Sequence, residues 1–110
     1  MINHNLDILR DVIYNIAKEK GWWDLELVND GEKIALMHSE LSEALECLRN
    51  GEKPFYYSNG KPEGAAVELV DCIIRILDFF GHKGWDVDMI MHAKVEYNKT
   101  RPYKHGGKAF

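Results

Sequence analysis

Four carboxylates stand in two matched pairs: Glu40 with Glu43, and Glu68 with Asp71, each pair three residues apart. On a helix, residues i and i+3 are surface neighbours, and like charges there repel by roughly 0.2–0.5 kcal/mol even in water. The repulsion grows where hydration is lost, so such a pair asks for a counter-charge. If the two pairs face one another, four acids converge on one patch. An all-oxygen set of that kind suits Mg²⁺ or Mn²⁺ rather than zinc or copper. The same spacing also describes a plain solvated face, with Asp71 and Arg75 as an i, i+4 ion pair. Spacing alone leaves both readings open.

The elements that must position these groups read as helices. Leu6, Leu9, Ile13 and Ile16 recur every three or four residues, and Gly21 follows as a stop. A second helix is expected from about Glu32 to Asn50. Its apolar face carries Ile34, Met37, Leu41, Ala44, Leu45 and Leu48, and a second stripe runs Leu36, Glu40, Glu43, Cys47. A third, from about Glu63 to Phe80, places Gly64, Glu68, Asp71, Arg75 and Asp78 on one stripe and is apolar elsewhere. A helix that is hydrophobic over most of its circumference must be surrounded, so a partner chain is expected. A fourth runs from a cap at Asp86 or Asp88 to Arg101, where Pro102 stops it. Between the second and third lies Gly51–Pro62, with Pro54, Asn59-Gly60 and Pro62 as turn signals. No alternating strand pattern is visible. The expected class is all-α, a helical bundle in one domain spanning 1–110.

Composition closes several other classes. The 110 residues carry 14 Lys+Arg against 18 Asp+Glu, a net charge of −4. The sum is uneven: 94–110 hold five positive and one negative side chains, which leaves nine and seventeen for 1–93. An acidic body does not suit general nucleic-acid binding. The most apolar stretch, Ala65 to Phe80, is interrupted by Glu68, Asp71, Arg75 and Asp78 and is too short and polar to span a membrane. Met1-Ile2-Asn3-His4-Asn5 is not a basic segment leading into an apolar one, so no secretory signal is expected. Cys47 and Cys72 lie in apolar runs without C-x-x-C spacing, which fits reduced thiols in the cytoplasm.

The basic end complements the acids. Lys94, Asn98 and Arg101 share one stripe of the fourth helix, and Tyr103, Lys104, His105, Gly106, Gly107 and Lys108 follow the proline. Cations on one helix edge suit phosphate oxygens; a solvated basic tail is the plainer reading. Trp22-Trp23 can stack on a base or anchor a helix corner. Phe55-Tyr56-Tyr57 offers a lid or a subunit contact, and nothing chooses between them. His38 points away from the Glu40 stripe and is read as non-catalytic. A di-iron bundle would use E-x-x-H pairs, and no histidine stands at those positions.

Taken together, these residues resemble the MazG-like branch of the all-α NTP pyrophosphohydrolases. The signature is E-x-x-E followed on the next helix by E-x-x-D, here Glu40-Leu-Ser-Glu43, 24 intervening residues and Glu68-Leu-Val-Asp71. The run Lys94…Tyr97-Asn98…Arg101-Pro102-Tyr103-Lys104-His105-Gly106 is similar to the C-terminal nucleotide-binding stretch of small members. The resemblance covers Lys33 to Lys108. It implies an oligomeric four-helix bundle, homodimer or homotetramer, that hydrolyses a (deoxy)nucleoside triphosphate to monophosphate and pyrophosphate. It further implies Mg²⁺, or Mn²⁺, held by Glu40, Glu43, Glu68 and Asp71, with Glu43 or Glu40 taking the proton of the attacking water. Lys94, Asn98, Arg101, Tyr103, Lys104 and Trp23 would contact the nucleotide. The alternative from another class is a non-catalytic helical module that binds nucleotide or metal as a sensor or assembly partner.

Overall fold

The computed structural model describes residues 5–24 and 29–103. Four helices are present among them: α1 (Leu6–Glu19), α2 (Asp30–Arg49), α3 (Ala65–Lys83) and α4 (Val87–Lys99). The ends follow local chemistry. Asn29 caps α2 by accepting from the Glu32 N–H, and Asp86 caps α4 by accepting from the Met89 N–H. Gly84, in the left-handed conformation, ends α3. The fourth helix stops at Lys99, short of the expected Arg101, which therefore lies beyond its C-terminal turn.

One expectation needs correction. The segment between α2 and α3 contains a short antiparallel hairpin, β1 (Tyr56–Ser58) and β2 (Lys61–Glu63), in the register Ser58↔Lys61, Tyr57↔Pro62, Tyr56↔Glu63. Three-residue strands are too short to show alternation in the sequence. The signal that was visible is Asn59-Gly60, whose positive φ values of 52° and 78° suit a two-residue hairpin turn. Gly64 then joins β2 to α3 at φ +118°, where a Cβ would run into the carbonyl oxygens of Lys53 and Pro54. The Ala66 N–H donates to the same Pro54 carbonyl at 3.0 Å, so the hairpin base is fastened to the start of α3.

α3 lies between α1 and α2 and packs on both, while α4 leans on α1. α2 and α3 run antiparallel: the Cys72 thiol donates to the Met37 carbonyl, and Lys83 pairs with Asp30 at 2.7 Å. The buried apolar set is small, with Ala44, Ala65, Cys72, Leu77, Phe79 and Val87. The radius of gyration is 16.7 Å, against about 13 Å for a compact chain near this length.

The orientation of α3 decides one question the sequence left open. Its charged stripe is not the solvated face. Glu68, Asp71, Arg75 and Asp78 are half-buried, whereas Leu69, Val70, Ile73, Ile74 and Ile76 are exposed. The helix turns these charges toward its neighbours along with the buried Ala65, Cys72, Leu77 and Phe79, and leaves five other aliphatic side chains outward.

Candidate metal and nucleotide site

The antiparallel register of α2 and α3 brings the two acidic pairs together. Glu40, Glu68 and Asp71 each place a carboxylate oxygen within 4.8 Å of the others. Glu40 is only 7 % exposed. Glu43 is exposed, lies within hydrogen-bond reach of Glu68, and lines the same cavity as the three. The four expected metal residues thus converge, three as a tight group and the fourth at its rim.

Electrostatics show what the arrangement costs. Glu68 is pushed up to about 7, first by burial, then by hydrogen bonds to Glu43 and Glu40 that favour its protonated form, and by their charges. Asp71 is also raised, by burial and the nearby Glu40 charge, against the opposing pull of Arg75. One cation answers directly: Arg75 Nε donates to Glu40 Oε1 at 2.8 Å. The solvated-face reading pairs Arg75 with Asp71 at i, i+4, but the structure sends its closest ion pair across to α2. One guanidinium against four carboxylates leaves an excess of negative charge. Three mutually close carboxylate oxygens, with Glu68 and Asp71 raised in proton affinity, fit a hard divalent cation, which takes oxygen ligands and would displace a shared proton.

Two cavities meet at this group. A polar one of about 260 Å³ lies between the acids and the hairpin, and Glu52, Tyr56 and Lys61 line it from that side. The Tyr56 hydroxyl donates to Glu52 Oε1 at 2.6 Å, which pushes the phenol up to about 12. The second cavity, about 500 Å³ and mostly apolar, runs from Glu40 and Asp71 to Ile13, Ile16, Ile74 and Trp22.

The tryptophans divide unexpectedly. Trp23 donates its indole N–H to Asp78 at 2.9 Å and stacks on His82 at 3.9 Å with ring planes 6° apart. The Lys33 ammonium lies 4.4 Å from its ring centroid. Its π-surface is engaged within the protein. Trp22, 65 % exposed, is the one that lines the apolar cavity.

The α4 groups are not brought to the acids within one chain. Lys94, Asn98, Arg101 and Tyr103 are exposed and line neither cavity, and Lys94 lies 5.0 Å from the Tyr97 ring. Lys104 falls outside the described residues, as do His105 to Lys108. Sequence reasoning missed Lys61 and the Arg75–Glu40 pair. The signal for the second was present, since Arg75 shares the Glu68 stripe, but its partner depends on the α2–α3 register.

Comparison with protein-family models, with curated proteins and with solved structures finds no match to this chain.

Proposed function

We propose that the chain is a divalent-cation-dependent nucleoside triphosphate pyrophosphohydrolase of the MazG-like kind, acting on the cytoplasmic nucleotide pool. The observation that carries this reading is the convergence of Glu40, Glu68 and Asp71 within 4.8 Å on the inward-turned stripe of α3. A solvated helix face would not raise Glu68 to about 7.

In this reading Glu40, Glu68 and Asp71 hold Mg²⁺, with Mn²⁺ as a substitute, and Glu43 stands beside them. A bound divalent cation supplies Lewis-acid stabilisation of phosphate charge and lowers the pKa of water. Glu43, exposed at the rim, accepts the proton of the attacking water. The water oxygen bonds to the α-phosphorus as the bridging bond to the β-phosphate breaks, and that bond's electron pair leaves with pyrophosphate. Arg75 keeps Glu40 in position through its 2.8 Å pair. The apolar cavity reaching Trp22 has room for the nucleoside. Lys94, Asn98, Arg101 and Tyr103 reach the phosphates from a second chain of a homodimer or homotetramer, which also covers the exposed aliphatic residues of α3.

A pyrophosphate-release screen over natural and modified NTPs and dNTPs tests the reading. Release is expected with Mg²⁺, absent with EDTA, and lost in Glu68→Gln. A non-catalytic nucleotide- or metal-binding module is the second reading, favoured by the separation of the α4 cations from the acids in one chain. Saturable binding without turnover across the whole panel would mark it.

A further inference from the structure

The hairpin was expected to be loop, and its position gives it a use. It closes one side of the polar cavity whose other walls carry Glu40, Glu43, Glu68 and Asp71. Among the described lining residues of that cavity, Lys61 is the single cation. Its placement is fixed by the chain on both sides. The Asn59-Gly60 turn sets the register, Gly64 and the Ala66–Pro54 hydrogen bond fasten β2 to α3, and Tyr56 fastens β1 to Glu52.

Lys61 is not used up by the fold. Its side chain is 77 % exposed, and its contact with Glu63 is long, at 4.0 Å. Such a pair contributes little to stability. Arg75 is the contrast, held at 2.8 Å on Glu40. Yet Lys61 is near enough to Asp71 for its charge to act there. A polyphosphate entering a cavity walled by carboxylates meets repulsion at every oxygen the cation does not cover. An ammonium on a flexible stem, anchored at a rigid hairpin, is the cationic group among the described lining residues of this cavity that can meet one.

We propose that the 56–63 hairpin is a wall of the substrate site, and that the Lys61 ammonium binds a non-bridging oxygen of the substrate's polyphosphate. This rests on the acidic cavity being a nucleotide site, as set out above. It adds a phosphate-binding residue on an element outside α4.

The test is calorimetric titration of the full chain with inorganic tripolyphosphate in Mg²⁺, alongside pyrophosphate-release kinetics. Lys61→Ala is expected to weaken tripolyphosphate binding about 10- to 100-fold, as loss of a charge-assisted contact does. Lys61→Arg should restore most of it. Mn²⁺ binding without phosphate should stay within about twofold, which a collapsed cavity would not allow. Where turnover is present, KM for the triphosphate rises with kcat little changed. Unaltered tripolyphosphate affinity in Lys61→Ala overturns the proposal, whatever the activity. So does a wild type that does not bind tripolyphosphate. A wild type that binds it through Lys61 but releases no pyrophosphate leaves this proposal standing and removes the hydrolase reading instead.

Discussion

Two groups of acidic side chains are half-buried in this protein, and they are built in opposite ways. At the junction of α1 and α4, Asp88 is 3 % exposed and accepts from the Leu6 and Asp7 N–H groups at 3.1 and 3.2 Å. Asp7 in turn accepts from the Val87 N–H at 2.7 Å and from Arg10 at 2.9 Å, and Asp86 accepts from Met89 at 2.8 Å. Two helix N-termini exchange caps, so each carboxylate meets donors that the helix would otherwise leave orphaned. Burial is the largest influence on Asp7 and would raise it, but the Val87 N–H, Asp88, Asp86 and Arg10 together outweigh it, and the net shift is downward. Between α2 and α3 the net shifts of Glu68 and Asp71 run upward, because burial and like charge exceed what Arg75, and for Asp71 the more distant Lys61, offset. A carboxylate whose charge the fold already satisfies is structural. One held close to others without enough donors keeps an excess of charge, which is the feature the proposed function uses.

Substitutions in the two acidic groups should have opposite effects on activity and stability. Asp71→Asn and Glu68→Gln should cut pyrophosphate release at least about 100-fold while the fold survives. Asp88→Ala should do the reverse. It should leave a properly folded fraction active but lower unfolding stability by about 2–3 kcal/mol, read from urea denaturation, since two N–H groups lose their acceptor. Arg75→Gln comes next. It leaves the buried Glu40 without its cation, but the Arg75 side chain is 41 % exposed, so the loss in EDTA should be nearer about 1 kcal/mol. Mg²⁺ should recover much of it.

The smallest effect is in pH. Glu68 titrates near 7 in the folded protein and 4.5 when free. Its folded value is raised, so its favourable contribution is complete below pH 4.5 and lost as pH rises through 7. In EDTA the melting temperature should therefore fall by a few degrees between pH 5 and 8, and Mg²⁺ should flatten the decline. Asp7 works the other way. Its folded value lies below 3.8, so its contribution is present above that and lost as acid drives pH through the lowered value. Asp88→Asn should weaken the acid-side loss and leave the decline toward pH 8 untouched.

Much of this was legible before the fold was known, because it is local. Periodicities of three and four mark the helices, the α4 cap narrows to Asp86 or Asp88, of which the structure uses Asp86, and the two E-x-x-[ED] pairs mark the acids. The turn at Asn59-Gly60 was seen as punctuation, but strands of three residues do not declare themselves by alternation. The rest depends on separation in sequence. Asp88 capping α1 joins residues 82 apart, and Arg75 meets Glu40 across 35. The choice of Trp22 over Trp23 for the open cavity follows from Asp78 and His82 claiming Trp23. None of these pairings has a motif. The inverted face of α3 was legible only in part, since an all-round apolar helix announces a neighbour but not which stripe turns inward.

In the proposed function the α2–α3 acids hold a cation that the α1–α4 acids do not. Calorimetric titration of the metal-free chain with Mn²⁺ tests this most directly. Saturable binding is predicted in the wild type and in folded Asp88→Asn, with at least about tenfold weaker binding in Asp71→Asn. Equal affinity in Asp71→Asn, or loss of binding in a folded Asp88→Asn, would contradict it.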